Sequence, residues 1–196
     1  MTLKVLGVGS SMRRDSFSTE TLKTILKKVI NNGGDARLLD LYSNPLPMYT
    51  AEYGENSSGI QHAVELVNWA DAIILATPDY HGSMAGSLKN FLDYFWEEFA
   101  GKTFGYVCSS HEKGLTVMDQ MRTAIRQCYG WSLPYGISIN SNQDFNADRK
   151  IINKQLLSRL ESFARDLVVY GYLISSQFKK DLNSTVQNSY AVHYRK

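Results

Sequence analysis

Short apolar runs rich in β-branched residues alternate along this chain with longer stretches in which hydrophobic positions recur every three or four residues. The short runs lie at residues 3–8, 36–41, 72–76, 103–108 and 135–139, the second being the weakest. Residues 19–31 place Leu22, Ile25, Leu26, Val29 and Ile30 on one helical face and stop at Gly33 and Gly34. Residues 60–69 repeat the helical pattern, and residues 85–99 carry Leu88, Phe91, Leu92, Phe95 and Phe99 along one side. Residues 115–129 and 150–172 complete it. This alternation predicts an α/β fold: a five-stranded parallel sheet, its strands central and buried, with helices on both faces.

Two stretches fall outside the pattern. Residues 42–59 hold two prolines and several small polar residues and read as a long loop, a length that is commonly functional. Residues 176–196 form a polar tail with Tyr190, Val192 and Tyr194 interspersed, which either frays or docks on a neighbouring subunit. No repeat and no Pro/Gly/Ser-rich linker divides the rest, so residues 1–175 are expected to be one domain.

A chain of 196 residues can bury roughly 70% of its unfolded surface in one core. With 43% hydrophobic and 20% charged residues, disorder is excluded as a description of the whole. The net charge is only +2 and the basic residues are scattered, so nothing points to a nucleic-acid partner. The slight cationic bias suits phosphate-bearing small molecules. No apolar stretch approaches the ~20 residues a membrane span needs, and the opening residues turn glycine- and serine-rich too early for a signal peptide, so the expected location is cytoplasmic. Cys108 and Cys128 have neither disulfide-framework nor metal spacing and read as two reduced, buried thiols.

In an open parallel sheet, ligands bind beyond the carboxyl ends of the strands. After the first strand, residues 9–18 combine small hydroxyl side chains, exposed N–H groups and a helix start, and Arg13 adds a cation; together they form an anion cradle fit for a terminal phosphate. The segment is neither a nucleoside-triphosphate loop nor G-x-G-x-x-G. Ser16 and Ser18 also suit helix capping. After the third strand, Pro78 and Gly82 let the backbone lie along a flat ring and offer polar groups to its edge, with Tyr80 beside it and Lys89, Asn90 and Asp93 bracing from the next helix.

The combination of Ser11-x-Arg13-x-x-Ser16 with Thr77-Pro78-Asp79-Tyr80-His81-x-Ser83 and Gly86-x-Leu88-Lys89-Asn90-x-x-Asp93 resembles the NAD(P)H-dependent FMN reductase family, a flavodoxin-like group with azo-, quinone- and chromate-reducing members. Met121, Arg122, Thr123, Arg126, Tyr129 and Pro134 are similar to its azobenzene reductase branch, and the similarity covers most of residues 3–172. The resemblance implies FMN as cofactor and NADPH or NADH as co-substrate. Hydride would pass through FMN to a small acceptor such as a quinone, an azo compound, free flavin or a metal oxyanion.

By the same resemblance Ser11, Arg13, Ser16 and Ser18 contact the FMN phosphate, with Phe17 counted among the cofactor-binding residues. Pro78, Asp79, Tyr80, His81, Gly82 and Ser83 line the ring and ribityl region. Ser18 and His81 stand where the family often has asparagine, and Asp79 where glutamate is commoner. The largest departure follows the fourth strand, where a glycine-rich run is replaced by residues 109–114. There Ser109, Ser110, His111 and Gly114 approach the pyrimidine side of the flavin, unless residues 111–113 form a solvated turn.

Because the flavin carries the chemistry, no catalytic acid, base or metal ligand is assigned. The resemblance also implies a homodimer or homotetramer, for which Trp96, Phe99, Tyr129 and Trp131 are contact candidates unless they belong to the core. A flavodoxin-type electron carrier without reductase activity is the alternative. Such carriers are typically strongly acidic, and the isoelectric point near 8.4 argues against it.

Overall fold

The computed structural model describes residues 2–51 and 57–195. Strands β1 (Lys4–Gly9), β2 (Asp35–Asp40), β3 (Ala72–Tyr80) and β5 (Thr103–Ser109) run parallel in the order β2-β1-β3-β5. The short β4 (Ser83–Met84) turns back antiparallel on the end of β3.

The fifth position of the sheet is filled by two pieces, which together with β4 brings the sheet to seven strands where five were expected. β6 (Trp131–Ser132) pairs with Thr103 and Phe104, and β7 (Ile137–Ile139) pairs with residues 107–109, both parallel. Pro134, which has no N–H to give the ladder, lies in the gap. So does Gly136, where a Cβ would come within 2.6 Å of Met118 Sδ.

Alternate residues of each central strand feed opposite faces of the sheet. Leu6, Val8, Ile73, Leu75 and Phe104 join a core beneath α2 (Ser58–Trp69), α3 (Gly86–Asp93) and α4 (Leu115–Gln127). Val5, Ile74, Val107 and Ile137 join a second core beneath α1 (Phe17–Asn31) and α6 (Lys154–Leu182). At Gly105 a Cβ would stand 2.4 Å from Phe163 Cζ, so a glycine lets α6 press onto the sheet.

Two helical expectations change in detail, and one short helix is added. The helix over residues 85–99 ends at Asp93 and resumes as a 3-10 turn at Glu97–Phe99. The Trp96 amide there donates to Glu98 Oε2, while Phe91, Phe95 and Phe99 stay packed ring on ring. α5 (Ser141–Asp144) is a short helix without a sequence expectation. α6 starts on Asn153, whose side chain accepts from the amides of Gln155 and Leu156, and it runs on past Ser175 to Leu182.

The boundary expected at residue 175 therefore falls inside a helix. Ser175 is buried and its hydroxyl donates to Asp71 Oδ1. Beyond it, a 3-10 turn at Tyr190–Tyr194 folds back on the chain: Tyr190 stacks on Phe178 and accepts a 2.9 Å hydrogen bond from the Trp131 indole. Of the loop over residues 42–59, residues 52–56 lie outside the described residues, and Asn90 pins residues 47–49 through Pro47 O and the Tyr49 amide. Among the described residues no helix is long and apolar enough to cross a membrane.

Candidate functional site

The carboxyl ends of β1, β3 and β5 are neighbours, with Gly9 beside Ala76 and Pro78 beside Ser109, so the three loops that follow them converge. Between them opens a cleft of about 540 Å³.

From the first loop, Ser11, Arg13, Arg14, Ser16 and Phe17 line the cleft. The Ser10 hydroxyl donates to the Ala76 carbonyl at 2.9 Å and ties this loop to β3. Ser16 is the N-cap of α1, its Oγ facing the Thr19 amide at 3.5 Å. The positive end of the helix thus faces the cleft. Among the described residues, neither Arg13 nor Arg14 has a carboxylate within ion-pair distance. Ser18 is not at the cleft: it is fully buried and its hydroxyl pairs with Ser16 Oγ at 2.8 Å, supporting the cap from behind.

From the second loop come Pro78, Asp79, Tyr80 and Gly82. Residues 79–84 are a two-residue hairpin in which His81 (φ 57°) and Gly82 (φ 75°) both have left-handed backbone, the conformation of a type I′ turn. His81 forms the turn without lining the cleft. Ser83 is turned toward α4, donating to Gln120 Oε1 at 3.0 Å.

From the third loop come Ser109, Ser110, His111 and Glu112. Asp79 joins this loop to the second, Oδ1 accepting from the Gly82 amide at 2.9 Å and Oδ2 from the Ser110 hydroxyl at 2.8 Å. Gly114 caps α4 from below the cleft, with φ 60° and no room for a Cβ, which would stand 2.4 Å from Cys108 Sγ. Burial, reinforced by the nearby Asp79 charge, pushes the Cys108 thiol up to about 12 and leaves it protonated and inert.

Eleven of the fifteen residues expected from the sequence thus meet at one cleft, while Ser18, His81, Ser83 and Gly114 support its walls. Arg14, Glu112, Ser141 and Arg149 complete the lining without having been among the fifteen, the first two next to expected residues and the last two from a segment with no expectation. Arg149 sits with its guanidinium carbon 4.5 Å over the Phe17 ring, in a turn with no apolar periodicity to mark it. The arginines gather on the β1 and α1 side, and Asp79 and Glu112 on the β3 and β5 side. One end therefore suits a phosphate dianion and the other the polar edge of a neutral ring. Among the described residues no group of three His, Cys, Asp or Glu is placed to hold a metal.

The model of the NADPH-dependent FMN reductase family matches residues 3–144, which include all three loops. The chain belongs to that family. A similar relative is the NADPH azoreductase of Bacillus sp. (strain OY1-2), 25% identical over 147 residues, 71% of this chain and 83% of that one. The 2-hydroxy-1,4-benzoquinone reductase of Burkholderia sp. is 33% identical over 95 residues, 48% of this chain and 50% of that one. The flavoenzyme NAD(P)H:(acceptor) oxidoreductase of Paracoccus denitrificans shares the fold, with a TM-score of 0.74 at 17% identity over 88% of this chain and 98% of that one.

As a member of the family this protein is an NAD(P)H-dependent FMN reductase with FMN as cofactor. The donors at the cleft fit that group: hydroxyls and amides at a helix start for a phosphate, arginines that no carboxylate pairs with among the described residues, and a backbone edge beyond.

Proposed function

We propose that this FMN reductase delivers its reducing equivalents to a small quinone or azo compound, with free flavin and metal oxyanions as further acceptors, and that the flavin occupies the cleft above β1, β3 and β5. The observation that carries this reading is the convergence of the α1 anion cradle and the Pro78–Tyr80 edge on one cavity. Ser11, Arg13, Ser16 and the first amides of α1 would hold the phosphate, and Pro78, Asp79, Tyr80 and Gly82 would border the ring. Ser109 to His111 would close its far side. Bound FMN supplies the two-electron exchange between a nicotinamide and an acceptor. The chain's own residues bind and orient, and none is needed as a nucleophile.

The names of the azoreductase and benzoquinone reductase relatives support the acceptor class. A homodimer or homotetramer is part of the same reading. Trp96, Tyr129 and Trp131 stay exposed and are the aromatics offered for such a contact, the last two beside Tyr190 of their own chain, while Phe99 lies in the core.

An anaerobic titration of the FMN-loaded protein with NADPH and with NADH tests the donor step. The flavin band near ~450 nm should bleach, and a quinone or azo dye should restore it. Stable bound FMN that neither nucleotide reduces would favour the electron-carrier alternative, and rapid bleaching that neither acceptor reverses would remove the acceptor assignment.

A further inference from the structure

Arg149 reaches the cleft from none of the three sheet loops. It belongs to the segment between α5 and α6, closed by an antiparallel bridge between Phe145 and Ile151 and by the Asn146 amide donating to the Lys150 carbonyl at 3.0 Å. The Asn146 side-chain oxygen accepts from the Lys150 amide at 2.8 Å. In that turn Arg149 is held at φ 61°, a left-handed conformation that costs a non-glycine residue about 1 kcal/mol.

Its guanidinium lies over Phe17, the first residue of α1, and the Phe17 ring packs on Phe145 with centroids 4.7 Å apart. The cation is thereby carried to the helix start that heads the anion cradle. Among the described residues no carboxylate pairs with it. Glu20, which borders a neighbouring groove with it, is paired with Lys23 at 2.7 Å. The family model ends at residue 144, short of this turn.

We propose that Arg149 is a phosphate-binding residue of the cleft, supplying a third guanidinium beside Arg13 and Arg14 from a turn outside the matched family region. The ligand is a phosphate of FMN or of the nicotinamide dinucleotide. Phe17 serves as the platform that aims it, a stacked geometry for which arginine is better suited than lysine. The proposal rests on FMN occupying the cleft.

The test compares wild type with Arg149→Asn, which removes the charge while tolerating the left-handed backbone, and with Arg149→Lys. FMN and riboflavin affinities are read by fluorescence quenching on apoprotein, KM values for NADPH and NADH on the FMN-loaded protein, and thermal midpoints on all three chains. Arg149→Asn should bind FMN about tenfold more weakly with riboflavin affinity unchanged, and Arg149→Lys should recover part of the loss. Unchanged FMN affinity with a raised KM for both nucleotides would place the ligand at their shared pyrophosphate, and a raised KM for NADPH alone at its 2′-phosphate; both results support the proposal. Equal weakening of FMN and riboflavin would mean that Arg149 acts through packing on Phe17 and would overturn it, as would unchanged affinities and KM values throughout. A wild-type chain that binds no FMN would bring down the reading of the cleft and this proposal together.

Discussion

Both oxygens of the Asp79 carboxylate are engaged, one by the Gly82 amide and one by the Ser110 hydroxyl, so the residue holds the β3–β4 hairpin to the loop after β5. Asp79→Ala should therefore lower stability by about 1 kcal/mol and weaken FMN binding, because the part-buried Ser110 hydroxyl and the exposed Gly82 amide both lose their acceptor. Asp79→Asn, which keeps one acceptor oxygen, should lose less of both. Urea midpoints and FMN titrations measure the two effects, and wild-type affinity in Asp79→Ala would show that the loops keep their places unaided. The motif around Asp79 predicts a place for it at the flavin edge. Its partner Ser110 is 31 positions away, and no local pattern announces a contact across two strands. Ser18 illustrates the same limit: a serine at a helix start suits both ligand and cap, and only burial against Ser16 separates the two roles.

At the scale of elements, β3 outlasts its apolar run. Residues 72–76 are fully buried, but the strand continues to Tyr80, where helices no longer cover it and β4 supplies the pairing. Backbone hydrogen bonds hold that extension and leave no hydrophobic signature. The hairpin demands left-handed backbone at both turn residues, which glycine provides without strain and histidine does not. His81→Asn should stabilise the protein by less than ~1 kcal/mol, and His81→Val should destabilise it by more than ~1 kcal/mol, since a β-branched residue is strained there. Equal denaturation midpoints for the three chains would show that the turn relaxes instead. α6 is the converse case. Its polar last turns read as a tail, yet Ser175 and Lys179 both reach Asp71, and Phe178 carries the folded-back Tyr190. A helix whose last turns are mostly polar and whose contacts are distant in sequence shows no stop where its periodicity fades.

For the whole molecule, the packing around the start of β5 half-buries Lys102, whose ammonium donates to the Ala70 carbonyl. Burial lowers its pKa from 10.5 to about 8, with the Asp71 charge opposing the shift. The unfolded chain then holds a proton between pH 8 and 10.5 that the folded chain has released, so this residue's contribution makes the fold more stable as pH rises through that window. Below pH 8 its unfavourable contribution is constant. The stability difference between Lys102→Met and wild type should favour the variant most below pH 8 and shift toward wild type up to pH 10.5, as measured by urea unfolding at a series of pH values. A difference independent of pH would show the ammonium to be solvated.

The same packing separates what was written locally from what was not. By itself the sequence determined the alternation of strand and helix, the two-faced core, the serine-capped start of α1 and the family, because apolar periodicity, capping residues and family motifs act over short stretches. Tertiary structure alone decided that the last sheet position splits around Pro134, that Ser18, Ser83 and Gly114 face away from the cleft, and that Arg149 enters it. Each of these depends on contacts between residues far apart in the chain, and only the packed fold, in which burial and sterics choose among alternatives open to each segment, brings them into being.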